Sequence, residues 1–269
     1  MSPAAVPLHH RRVGSGPALV LVHGFLGGIG EWEDLTAALA PSYDVIAVDL
    51  PGFGGSAQVP APASVGGYGR LIVHILDALG IGNCTLFGHS LGAMIALQMA
   101  LDCGGRIERL VLYGAASTGR LPDRFETFAA TIERLRRVGV AAASEPIIAS
   151  WFVQGRAQPA FAMYRRMAES ARTEAAVAAL EAVAAWQASD RLGEIAVPAL
   201  VIGGDRDRST NPAEQFRLWR GLPRGQLCLL PDCAHAAHLE QPELFRRIVA
   251  RFLAETDAGH CAESTVTAP

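Results

Sequence analysis

Short apolar runs at residues 19–22, 45–48, 84–87, 109–113, 199–203 and 226–230 are rich in Val, Ile and Leu, and each is closed by Gly, Pro or Asp. They do not alternate with polar positions, as expected of strands buried on both faces. Between them, apolar residues return at helical spacing near 31–40, 65–80, 91–103, 211–221 and 242–254. Strands alternating with helices predict an α/β fold, a mostly parallel sheet flanked by helices on both faces. Leu8 to Val13 adds an edge strand to this expectation.

The alternation lapses over residues 116–195, which read as helix without a convincing strand and carry Phe125, Phe128, Trp151, Phe152, Phe161, Tyr164 and Trp186. The expected organisation is therefore a core in two parts, 1–115 and 196–255, with a helical insertion between them. Most of the insertion's aromatics are expected to hold it together, and the remainder to line an apolar pocket. Its arginines, Arg120, Arg124, Arg134, Arg136, Arg137, Arg156, Arg165, Arg166 and Arg172, read mostly as solvated helix faces; any one could grip a carboxylate, and none is singled out. Residues 256–269 show no periodicity and are expected to be a disordered tail.

Half of the 269 residues are hydrophobic, enough for a substantial core, and the net charge of −3 offers no attraction to nucleic acid or an anionic membrane. A small-molecule partner fits better; oligomeric state is open. No signal-like leader and no run long enough to span a membrane is evident, and the five scattered cysteines suit reduced thiols in the cytoplasm. Cys228, Cys233, His235 and His238 are close in sequence and could suggest a metal. Cys228 falls inside a strand, however, and no second cysteine pair completes a site, so neither metal nor cofactor is expected.

Gly88-His89-Ser90-Leu91-Gly92 joins an apolar strand to a helix. A serine on such a turn presents its hydroxyl above the sheet end, with glycines where a Cβ would strike backbone. The same string also reads as a plain helix cap. A nucleophilic serine needs a histidine, and the histidine an acid. Strand 199–203 runs into a loop with Asp205 and Asp207, and strand 226–230 into one with His235 and His238.

The order Ser, Asp, His resembles the α/β-hydrolase fold family, and the likeness spans about Leu8 to Ala254. It implies that Ser90, Asp207 and His235 are catalytic, the acid closing Gly204-Asp205-Arg206-Asp207 and the base opening His235-Ala236-Ala237-His238-Leu239-Glu240-Gln241-Pro242. Alanine at 234 departs from the family's usual glycine. It further implies oxyanion donors at the amides of Phe25, after His23-Gly24, and Leu91, and a cap over the nucleophile. Asp205 and His238 are left as structural residues, as are His23 and Asp49, the latter in Asp49-Leu50-Pro51-Gly52-Phe53-Gly54-Gly55-Ser56. The function implied is hydrolysis of a carboxylic ester or thioester with a small, mostly apolar acyl group. Enol-lactone opening, C–C hydrolysis, perhydrolysis, a lyase similar to the menaquinone-pathway synthase, and non-catalytic ligand sensing are the alternatives.

Overall fold

The computed structural model describes residues 8–263, with side chains described through residue 255. Its sheet is built from β1 (His10–Val13), β2 (Ala18–Val22), β3 (Asp44–Val48), β4 (Cys84–His89), β5 (Ile107–Tyr113), β6 (Ala199–Gly204) and β7 (Gly225–Leu230), in the order β1-β3-β2-β4-β5-β6-β7. β1 runs antiparallel to β3, with His10 opposite Val48, and the remaining pairs are parallel.

Side chains on successive strand residues face opposite ways, which explains the unbroken apolar runs. Val20, Val22, Ile46, Val48, Leu86 and Leu110 join the cluster on one face, and Leu19, Leu21, Val45, Ala47, Phe87 and Val111 that on the other. The helices covering the sheet are α1 (Glu33–Leu39), α2 (Val65–Ala78), α3 (Leu91–Cys103), α7 (Pro212–Gly221), the short α8 (Ala237–Glu240) and α9 (Pro242–Glu263). Ser64 caps α2 by accepting from the Gly67 amide, and Asn211 caps α7 ahead of Pro212, whose ring suits a first helical turn. No helix among the described residues is long and apolar enough to cross a membrane.

Between β5 and β6 lie α4 (Phe128–Ala149), α5 (Phe161–Ser170) and α6 (Thr173–Ala184). The two ends of this segment meet where Thr118 bridges Gln187. α4 is two helices joined at Gly139, whose φ of 76° is left-handed, and the freed amide of Val140 donates to Thr173 Oγ1 at 3.0 Å.

α9 is helical to Glu263. Residues 264–269 lie outside the described residues.

A Cβ on Gly92 would stand 2.1 Å from the Val22 carbonyl oxygen, and one on Gly88 2.2 Å from that of Gly92. Gly92→Ala is therefore expected to cost at least about 1–3 kcal/mol in urea unfolding, as overpacking against backbone does. Gly105→Ala, with open space around it, should stay within about 0.5 kcal/mol.

Candidate active site

Ser90 sits between β4 and α3 with φ 54° and ψ −114°, a conformation that side chains seldom adopt. Its amide donates to the Tyr113 carbonyl at 2.8 Å, and its own carbonyl accepts from Ala93 and Met94. The hydroxyl makes no capping bond to α3. Ser90 instead lines a cavity whose wall also includes His235, Phe25 and Leu91.

The loops after β6 and β7 bring Asp207 and His235 together, with His235 Nδ1 and Asp207 Oδ2 2.7 Å apart and both residues buried. Asp207 Oδ1 accepts from the amides of Ser209 at 2.7 Å and Thr210 at 3.1 Å, while Thr210 Oγ1 reaches Oδ2 at 3.1 Å. The two amides fix the orientation of the carboxylate, and its Oδ2 directs the imidazole proton to Nδ1. Gly114, at φ 54°, leaves room for the ring: a Cβ there would lie 3.1 Å from His235 Cε1.

Neither the Phe25 amide nor the Leu91 amide donates to another group among the described residues. Leu91 opens α3, where unpaired amides and the helix dipole favour negative charge. Asp205 is not part of the pair with His235; its Oδ1 accepts from the Cys233 amide at 3.2 Å. Asp49 accepts from the amides of Ile29 and Gly55, each at 2.8 Å. Of the insertion's aromatics, only Phe128 and Trp151 line the cavity among the described residues. Glu240 ties loops together, with Oε2 accepting from the Ala234 amide at 2.6 Å and Oε1 from the Val153 amide at 2.7 Å.

Sequence reasoning did not single out Glu31, another buried acid of this region. Its Oε1 lies 3.2 Å from His89 Nδ1, and its Oε2 accepts from the Tyr164 hydroxyl at 3.1 Å. Burial opposes its charge, yet the hydrogen bond with His89 and the nearby imidazoles outweigh burial and hold its carboxyl below the usual range. Nothing in the sequence distinguished it from a solvated acid at the start of a helix, because its partners come from β4 and α5.

His238 is buried, with Nδ1 3.0 Å from the Tyr113 hydroxyl, which itself donates to the His235 carbonyl at 2.8 Å. Burial pushes its pKa down to about 3. Burial also pushes the thiols of Cys84 and Cys233 up to about 12. Among the described residues, no group of three His, Cys, Asp or Glu side chains is arranged to hold a metal ion.

Residues 17–242 match the sequence model of the alpha/beta hydrolase fold. The chain is 30% identical to a 2-hydroxy-6-oxo-6-phenylhexa-2,4-dienoate hydrolase of Burkholderia cepacia, over 92% of this chain and 91% of that one. It superposes on the enol-lactonase of Burkholderia xenovorans LB400 with a TM-score of 0.84 and 25% identity, covering 92% and 96% of the two chains. It also superposes on a malate-bound thermophilic esterase of Thermogutta terrifontis with a TM-score of 0.84 and 28% identity, covering 93% of each.

With a folded pKa near 3 and an ordinary unfolded value of 6.5, His238 takes up its proton in the unfolded chain first. The stability it contributes is complete above pH 6.5 and is lost as pH falls from there towards 3. His238→Asn should lower stability at neutral pH but reduce the slope of unfolding free energy between pH 6 and 5 by up to about 1.4 kcal/mol per unit. Urea titrations across that range read this slope; an unchanged slope would refute the assignment.

Proposed function

The chain belongs to the α/β-hydrolase family and is a hydrolase, and from that premise we propose that it cleaves carboxylic esters or thioesters through Ser90, His235 and Asp207. The observation that carries this reading is the buried 2.7 Å contact between His235 and Asp207, beside a cavity that Ser90 also lines. Ser90 Oγ attacks the carbonyl carbon as His235 Nε2 takes its proton, and Asp207 stabilises the resulting imidazolium. The amides of Phe25 and Leu91 receive the developing oxyanion; loss of one such donor costs about 2.7–4 kcal/mol of barrier in comparable sites. The tetrahedral intermediate collapses with transfer of the proton from His235 to the departing alcohol or thiol. Water then loses a proton to His235 as it attacks the acyl-enzyme, and the acid leaves as Ser90 Oγ recovers that proton.

The mostly apolar wall of the cavity, with Met94, Ile147 and Leu180, supports a small apolar acyl group. A second reading on the same residues, opening of an enol-lactone or hydrolysis of a C–C bond beside a ketone, draws support from the two relatives named for such substrates. A panel of p-nitrophenyl esters, thioesters, enol-lactones and 1,3-diketones separates the two by relative kcat/KM.

A fluorophosphonate is expected to label the protein once, at Ser90, and Ser90→Ala to abolish both labelling and turnover while the thermal transition persists. Asp207→Asn should lower kcat by about 10³–10⁴-fold, as loss of the tautomer-directing acid does. Asp205→Asn should change it only a few-fold, and the reverse ranking would overturn the choice of acid.

A further inference from the structure

The cavity beside Ser90 is apolar over most of its wall, yet Arg124 and Ser209 also line it. The chain segment carrying Arg124 is pinned beside the loop carrying Ser209, because the Phe125 amide donates to the Arg208 carbonyl at 2.9 Å. The Arg124 guanidinium lies 4.4 Å from the Phe125 ring centroid and 4.6 Å from that of Phe128, contacts that orient its plane. Its Nη1 donates to the Glu126 carbonyl and to Thr131 Oγ1.

The nearest acid, Glu126, is already engaged. Its carboxylate accepts from Arg134 Nη2 at 2.7 Å and from the Thr131 hydroxyl at 2.6 Å. Among the described residues, Arg124 makes no salt bridge, although the charge of nearby Glu126 favours its own, and its Nε and Nη2 donate to nothing. Burial presses its pKa down to about 10, which leaves it a cation at neutral pH. Ser209 is buried and its Oγ has no hydrogen-bond partner. An unpaired polar group in such a place costs about 1–3 kcal/mol unless something else satisfies it.

We propose that Arg124 and Ser209 form an anion subsite that binds a carboxylate carried by the substrate away from its scissile carbonyl. The Nε–Nη2 edge of a guanidinium matches the two oxygens of a carboxylate, and the Ser209 hydroxyl supplies a third donor. Arg124 is half-buried beside apolar walls, so the attraction is stronger than at an exposed arginine. The proposal rests on the hydrolytic reading above and narrows it to substrates with an acid group.

The test compares kcat/KM for mono-p-nitrophenyl glutarate and adipate, acidic on the acyl side, and for 4-butyryloxybenzoate, acidic on the leaving side, with that for neutral p-nitrophenyl butyrate and hexanoate. The wild-type enzyme should favour the acidic ester in at least one arm, and the arm identifies the side. Arg124→Met should lower the acidic-to-neutral ratio by about 10- to 100-fold, through KM, as expected for hydrogen bonds to a charged group. Arg124→Lys should recover part of the loss, Ser209→Ala should lower the ratio a few-fold, and Arg165→Met, outside the cavity, should leave it as it was.

An equal fall for acidic and neutral esters, or a wild-type enzyme that prefers neutral ones in both arms, would overturn the proposal. Calorimetric binding of glutarate to Ser90→Ala, lost on adding Arg124→Met, tests the subsite even if no ester is turned over. Activity on neutral esters without glutarate binding therefore sinks the subsite alone, and binding without turnover sinks the hydrolytic reading alone.

Discussion

The conformation of one residue constrains the rest of the site. A non-glycine backbone at φ 54° and ψ −114° costs about 1–3 kcal/mol and persists only where its surroundings over-determine it. At Ser90 they do: β4 delivers the chain into the turn, the Tyr113 carbonyl holds the amide, and Gly88 and Gly92 pack too closely against neighbouring backbone to admit a Cβ. The turn in turn aims the first amides of α3 and puts the side chain at the cavity rather than in a helix cap. A looser turn would lose these features together.

The proton positions around this turn follow from partners. His23 donates from Nδ1 to the Gly24 carbonyl at 2.7 Å and accepts from the Leu50 amide at Nε2, which fixes its orientation. The Tyr113 hydroxyl donates to the His235 carbonyl, so the Nδ1 of His238 carries the proton between them. With Asp207 holding Nδ1 of His235, the Nε2 of that ring is left free of this contact, as the proposed role of base requires. Neighbouring imidazoles thus differ in role because their acceptors differ, not because of any difference in residue type.

Much of this was legible in the sequence. Strands buried on both faces leave unbroken apolar runs, and Gly, Pro and Asp mark their ends, so β2 to β7 fall where the pattern puts them. Asp207 and His235 were legible because each follows a strand on a polar loop within a recognisable string. Glu31, Tyr164 and Tyr113 were not, since their importance comes from contacts between distant segments that no local pattern encodes. Arg124 looked like every other arginine of the insertion until folding set it against the cavity while leaving its neighbours in surface ion pairs, such as Arg136 with Glu181.

Glu240 joins the amide before His235 to the amide of Val153, and the Trp151 carbonyl accepts from Ala236 at 3.0 Å. The histidine loop and the linker between α4 and α5 are consequently stitched together on both sides of the imidazole. A hinge that swung this corner of the insertion outward would have to carry the histidine with it or sever those stitches. The orientation of the imidazole is thereby coupled to the position of residues 151–153.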